Sequence, residues 1–508
     1  MMRSMYSGVS GLKAHQTRMD VIGNNIANVN TNGYKKSRVV FADTLYQSMR
    51  YGTIPSDVRG GTNPMGVGLG SQVASIDQIH TSAPTTTTNK TTDMACSGNG
   101  YFIVKNGNEA FYTRAGAFDW DSTYNLVNSN GYMVQGWMAN TDPTRATDTG
   151  DFSIDASGAT TGINIADYKE IAPRATENVS ITGNLNSDYD IPQFTDATPT
   201  TDDINPATTG ATGEFPAESD DQKIVSFDTY DSLGRKQTVY ARFFKTSVTG
   251  TAPTATETNW ACDLSLNPLF NRATGFAAGT NFGQSVNLRA ATVTASTPAA
   301  VTLATDKDVA RIYNLRFDSD GVVASQSPTA QPWYAQVQLT IDKNTLLTVP
   351  VQPTQEALAK DVVCTVDMTK VTQYSGTDNC HFDTQDGYQS GSMVKYSVGT
   401  DGTITGVYDN GQTKSIARVA VATFDNPSGL QQVGGTMWQT SVNSGQPIVG
   451  QPGIDGKGSI VANALEMSNV DLSEEFTDMI VTERGFQANS RIITTSDEML
   501  QELVNLKR

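Results

Sequence analysis

The sequence predicts a multidomain α+β protein: long N- and C-terminal helices pairing as an α-helical coiled-coil base, with all-β domains inserted between them. Three observations carry this prediction. Apolar residues recur every seven positions at both ends of the 508-residue chain, as in helices that pack along one another. The two ends carry opposite charge: residues 1–50 hold seven basic and two acidic side chains, a net of +5, and residues 465–508 hold four basic and nine acidic, a net of −5. Between them run short aromatic and β-branched stretches separated by Gly-containing turns, the pattern of hairpins.

The first helix is expected from about Ser4 to Asn28. Met5, Leu12, Met19 and Ile26 form one stripe, with Val9 and Ile22 beside it. The last helix is expected from about Leu472 to Leu506, with Leu472, Met479, Phe486, Ile493 and Leu500 on one stripe and Phe476 alongside. Its second stripe is weak, because Glu483, Ser490 and Asp497 are polar. That pattern suits a helix with several neighbours, some from other chains, better than a simple two-stranded coil. Asp471 followed by Glu474 marks a capping box at its start. At about 1.5 Å per residue the helices reach roughly 37 and 50 Å. Chain ends of that length fray unless something ties them down.

Between the helices, residues 31–90 are Gly- and Thr-rich with little periodicity. Strands are expected in "YFIV", "AFYTRAGAF" and "YNLVNSNGYMVQGW" between 101 and 137. Further strands are expected over 223–245, 310–323, 334–341 and 386–442, where "GTDG" and "YDNG" supply turns. Residues 141–162 and 195–223 read as loops. The expected division is 1–30 and 465–508 for the helical base and 31–80 for a connecting segment. An inner β domain takes 81–175 and 385–464, and outer β domains, subdivided or not, take 176–384.

Net charge is −17, which disfavours nucleic acid as a partner, since that needs a basic face. No segment approaches the roughly 20 apolar residues of a membrane span, and the N-terminus lacks the apolar run of a Sec signal peptide. Cys96, Cys262, Cys364 and Cys380 have no zinc or redox spacing. A Cys364–Cys380 disulfide stays open, and Cys96 reads as a small buried hydrophobe. His15, His80 and His381 are too scattered for a metal site. "GNGYF" and "GVGLGS" lack the βαβ context of phosphate loops. "DSDG" and "DTQDG" lack the terminal Glu of calcium loops. No nucleophile, metal-hydrolase or nucleotide motif is present, so neither an enzyme nor a cofactor is expected.

One stretch needs a further explanation. In "VIGNNIANVNTNGYKKS" (21–37), Asn24, Asn25, Asn28, Asn30 and Asn32 crowd the end of the first helix before Gly33. Asn and Gly tolerate left-handed backbone and can end a helix. An Asn amide also both donates and accepts, so several could bond neighbouring backbones at a subunit junction without bringing charge.

"SGLKAHQTRMDVIGNNIANVNTNGYKKSRVVFAD" (10–43) resembles the N-terminal signature of bacterial flagellar rod and hook axial proteins. "LEMSNVDLSEEFTDMIVTERGFQANSRIITTSDEMLQELVNLKR" (465–508) resembles their C-terminal signature. "SGNGYFIV" and "DGTITGVYDNGQ" are similar to the family's inner β domain, and "FDTYDSLGRKQTVYARFFK" to the outer domain of hook subunits. The resemblance implies a structural subunit that polymerises into the flagellar hook, a flexible universal joint that transmits torque from rod to filament and encloses an export channel. It implies terminal helices lining an inner tube and a following segment that bridges subunits. The implied partners are further copies, the distal rod, hook cap and hook–filament junction proteins, and the flagellar type III export apparatus. The implied location is extracellular, in the hook, reached without a Sec signal. Other flagellar axial subunits, the distal rod and the hook–filament junction, stand as same-family alternatives. A secreted β-rich adhesin leaves the terminal heptads unexplained, and an acidic surface hydrolase lacks a convergent site.

Overall fold

The structure, a computed structural model, describes residues 2–52, 54–55, 59–140, 154–191, 221–249, 257–266, 299–303, 309–318, 320–323, 336–341 and 361–506. The loop expectations for 141–153 and 195–220, and the first two residues of the strand expected over 334–341, lie outside them. The described chain is mostly β, with one long helix at each end. It divides into two compact units. Unit 1 holds residues 1–169, 394–407 and 413–508, and unit 2 holds 170–393 and 408–412.

Helix α1 spans Met2–Ala27 and helix α2 spans Leu472–Asn505. Asp471 caps α2: its carboxylate accepts from the Ser473 and Glu474 amides at 2.8 and 3.4 Å. Only this half of the expected capping box forms. The Glu474 carboxylate reaches instead to the Lys36 ammonium at 2.6 Å, where a full charge is a better donor than a backbone amide.

The connecting segment is more regular than its sequence suggests. Ser37–Asp43 pairs antiparallel with Ser71–Gln78, and Tyr46–Arg50 with Met65–Gly68. Both strands of the second pair are exposed along their whole length. With neither face buried, no alternation of apolar and polar residues marks them.

The main sheet of unit 1 runs through Thr413–Val419, Met133–Met138, Tyr101–Asn106, Glu109–Thr113 and Met437–Gln439, all antiparallel. Its aromatic core includes Tyr101, Tyr112, Trp137, Phe424 and Trp438. Two short ladders stitch distant parts of the chain together: Met94–Ser97 with Ser459–Ala462, and Thr85–Thr87 with Ala464–Glu466. Each brings the chain just before α2 back onto strands that follow α1 and the connecting segment.

Among the described residues, two sheets build the core of unit 2. One is antiparallel, in the order Gln222–Tyr230, Lys236–Thr249, Glu257–Ser265, Val309–Phe317. The other is mixed, with Asn178–Asn186 parallel to Val362–Tyr374 and antiparallel to His381–Gln385. Val179, Phe227, Phe243, Trp260, Leu339 and Val366 share a single core between them. The four cysteines are free and buried, which leaves the Cys364–Cys380 pair unbridged. Cys96 is buried among core residues of unit 1.

Candidate functional site

The two terminal helices pair antiparallel, and the seam is not the one that the apolar heptads suggest. Ser4 meets Ser496 through their hydroxyls at 3.3 Å. A Cβ on Gly11 would lie 2.8 Å from Asn489 Nδ2, and one on Gly485 would lie 2.7 Å from His15 Cε1. Asn25 donates to both carboxylate oxygens of Glu475 at 3.2 Å. In each of these pairs the residue numbers sum to 500, so one register holds over six turns. Arg18 and Asp478 flank the seam in an ion pair of 2.8 Å.

Small and polar residues therefore fill the contact. Gly8, Gly11 and Gly485 bring the backbones close, and Ile493 of the expected stripe packs over Gly8, where an added Cβ would lie 3.1 Å from its Cγ1. Within α2 the buried residues are Glu475 (6 % exposed), Thr482 (0 %) and Ser496 (2 %), whereas Phe476 (50 %), Ile480 (57 %) and Phe486 (42 %) face solvent. Leu472 is exposed too, and Met479, Ile493 and Leu500 are half-buried. On α1 only Ile22 of the expected stripe is buried; Met5, Leu12, Met19 and Ile26 are half-buried and Val9 is exposed. The helices pair through a contact in which polar and small residues are the most buried, with Ile22 and Ala14 as apolar exceptions, while much of the apolar surface stays half-buried or exposed, unlike a self-sufficient helical hairpin.

The asparagine cluster divides into three kinds. Asn25 is buried and uses its whole amide. Nδ2 donates to the Ser37 carbonyl (2.9 Å) and to Glu475, and Oδ1 accepts from the Ser37 amide (3.0 Å) and the Tyr34 hydroxyl (3.2 Å). Burial pushes the Glu475 carboxyl up, and Asn25 holds it back. Asn28 donates to the Asn24 carbonyl at 2.9 Å, closing the helix end, while Asn24 donates to the Tyr34 hydroxyl at 3.3 Å. Asn30 and Asn32 are exposed. Gly33 does not end the helix, which stops at Ala27. It sits at φ +71° in the later turn Thr31–Tyr34, and its amide donates to the Glu466 carbonyl at 2.8 Å.

A Cβ at Gly33 would lie 2.5 Å from the Ala115 amide nitrogen. Gly33→Ala combines a left-handed backbone with a backbone clash. The expected loss is about 2 kcal/mol or more, read as a lower thermal midpoint of the full-length chain. An unchanged midpoint would show that this turn can shift freely.

Beside this turn lies a cluster that the sequence does not announce. Lys35, Arg114 and Glu466 are each almost fully buried. Lys35 Nζ donates to Glu466 Oε1 and to the Thr81 carbonyl, both at 2.6 Å. Arg114 Nη1 approaches Glu466 Oε2 at 3.5 Å, and its guanidinium lies 4.6 Å over the Tyr101 ring. Glu466 Oε1 also accepts from the Ala83 amide at 3.0 Å. Burial pulls the Lys35 ammonium down and Glu466 raises it again. The signal was a Lys–Lys pair after an Asn-rich turn, but its partners stand some 80 and 430 positions away.

A second exposed surface lies on the Tyr46–Arg50/Met65–Gly68 ribbon. Leu45, Tyr46, Met49, Tyr51, Ile54 and Met65 are all exposed there. Apolar patches of this kind mark interaction sites, and an isolated two-stranded ribbon is marginal in water. Among the described residues no group of side chains is arranged to hold a metal ion, and no helix is long and apolar enough to cross a membrane.

Four family models match the chain. They are described as Flagella basal body rod protein (residues 5–35), Flagellar hook protein FlgE/F/G D1 domain (95–182), Flagellar basal body protein FlaE D2 domain (196–388) and Flagellar basal body rod FlgEFG protein C-terminal (461–506). The flagellar hook protein FlgE of Borreliella burgdorferi is 38% identical over 510 residues, and that of Treponema pallidum is 34% identical over 519, each over the whole of both chains. A crystal structure of the Helicobacter pylori flagellar hook protein FlgE2 covers 75% of this chain and all of its own, at 14% identity and a TM-score of 0.48.

Proposed function

This chain belongs to the flagellar hook protein family and is a structural subunit of the hook, and from that premise we propose how its copies assemble. The polar, closely packed helix seam carries the reading: Val9, Leu472, Phe476 and Phe486 are exposed and most of the remaining stripe residues only half-buried, which leaves apolar surface for other copies. In the tube, Met5, Val9, Leu12, Met19 and Ile26 of one chain would meet Leu472, Phe476, Met479, Phe486 and Leu500 of others as a coiled-coil inner wall around an export channel, with Ile22 buried inside each chain and Ile493 packed on its own Gly8. Within a free chain most helical stability must come from burying such a face, so the ends would order fully only on association.

The apolar ribbon and the exposed Asn30 and Asn32 would bridge to the next subunit, with Asn24, Asn25, Asn28 and Gly33 shaping the junction from inside. A contact between unlike surfaces that does not close propagates a helical filament. Polar outer surfaces would make weak, wet contacts that slide as the tube bends and carries torque. Distal rod, hook cap and hook–filament junction proteins would meet the ends of the tube, and the flagellar type III apparatus would export the chain.

Electron microscopy of a strain lacking this chain tests the reading. Basal bodies should end at the rod, with hooks restored by the wild-type chain. Complete hooks in the deleted strain would overturn it.

A further inference from the structure

Both routes from the helix pair into the β part of unit 1 pass through the buried ionic cluster. Lys35 lies eight residues beyond the end of α1, and Glu466 lies six residues before the start of α2. Arg114 follows the strand Glu109–Thr113. The cluster sets two cations against one carboxylate, and that carboxylate already serves both.

His80 stands against it. His80 Nδ1 lies 2.8 Å from the Tyr101 hydroxyl, and its ring meets those of Tyr101 and Trp438 edge-on at 6.0 and 5.7 Å. Its Nε2 is buried with no partner. The charged groups facing it are Lys35 and Arg114. The other titratable neighbours of the cluster, Tyr101 and Cys96, are held neutral because burial pushes both up. In the charged imidazolium the Nε2–H would find no acceptor, and a third positive charge would stand beside two others.

We propose that His80 and the Lys35–Glu466–Arg114 cluster form an acid-released latch, holding the segments that flank both terminal helices to the β part of unit 1. Burial and the two cations hold His80 down at about 4, against about 6.5 in a released chain. A base with a depressed folded pKa lends stability that is fully present above 6.5. That stability falls as the pH drops and is gone below about 4. Over that window the opening equilibrium rises up to about 300-fold. The core of unit 2 contains no part of the latch and stays closed.

Cys96 reports the opening, since Lys35, Arg114 and Glu466 all act on its buried thiol. Cys262, Cys364 and Cys380 in the core of unit 2 report global unfolding. The probe is 4,4′-dithiodipyridine, which reacts with thiols in acid, applied to tubes of the full-length chain from about pH 7 to pH 4. Each cysteine's rate is divided by its rate in the denatured chain at the same pH. A chain that forms no tubes counts against the assembly reading alone, and its latch is then read on the free full-length chain.

The corrected Cys96 rate should rise on the order of 100-fold while the other three stay protected, and His80→Gln should flatten that rise. Glu466→Gln should label Cys96 rapidly at neutral pH with unit 2 still closed. A flat wild-type profile, an equal rise in His80→Gln, or four cysteines opening together would overturn the latch. Should His80→Gln fail to fold, Glu466→Gln decides: Cys96 still protected, or all four cysteines open, overturns it.

Discussion

Phe486→Asp is expected to abolish tube assembly while leaving both β units folded. Phe486 is exposed in the single chain, so an Asp there stays hydrated and costs the subunit little. In the proposed inner wall the same side chain is buried, and burying an unpaired carboxylate costs several kcal/mol. Because every copy repeats the defect, the loss multiplies along the tube. Sedimentation and electron microscopy should show tube yield down at least about 100-fold, roughly what 3 kcal/mol per contact implies. The β thermal transition should stay within a degree or two. Met479→Asp should block assembly as well, but Met479 is half-buried already, so the free chain should also weaken. Wild-type yield from both variants would remove the apolar stripe from the assembly surface.

Glu466→Ala should be the most destabilising substitution at the junction. It strands Lys35 and Arg114, two buried cations, without their carboxylate. Breaking a buried pair by removing one partner costs about 3–5 kcal/mol, and in a unit of this size that lowers the midpoint on the order of 10 °C. The control is Glu474→Ala at the Lys36 pair, whose carboxylate is largely exposed. An exposed pair contributes roughly 1 kcal/mol or less. Calorimetry of the full-length variants separates the two. Equal, small losses would mean that water reaches the cluster and that its burial is not energetic.

Much of the fold is legible in local pattern. The α2 start follows from Asp471, whose carboxylate caps it, and α1 follows from an uninterrupted apolar repeat without proline. The strands Tyr101–Asn106 and Glu109–Thr113 follow from short aromatic and β-branched runs on either side of a Gly turn, buried on both faces rather than alternating. The ribbon was missed because its residues are exposed on both faces, so no period marks them. The five asparagines promised one shared role, and the structure separates them by burial: Asn25 inside, Asn24 and Asn28 local, Asn30 and Asn32 outward.

By itself the sequence determined that this chain has two long terminal helices of opposite charge, β domains between them, and signatures of an axial flagellar subunit. Those properties are local or additive: periodicity, capping residues, net charge and contiguous motifs. The tertiary structure alone decided which face of each helix is used within the chain. Apolar stripes state that a face needs covering, not by what. The seam is set by where Gly8, Gly11 and Gly485 permit close approach and by which polar groups, such as Asn25 and Glu475, can satisfy one another there. It likewise decided that Lys35, Arg114 and Glu466 meet. Burial of a charge depends on partners brought from distant positions, and no spacing rule along the chain encodes that encounter.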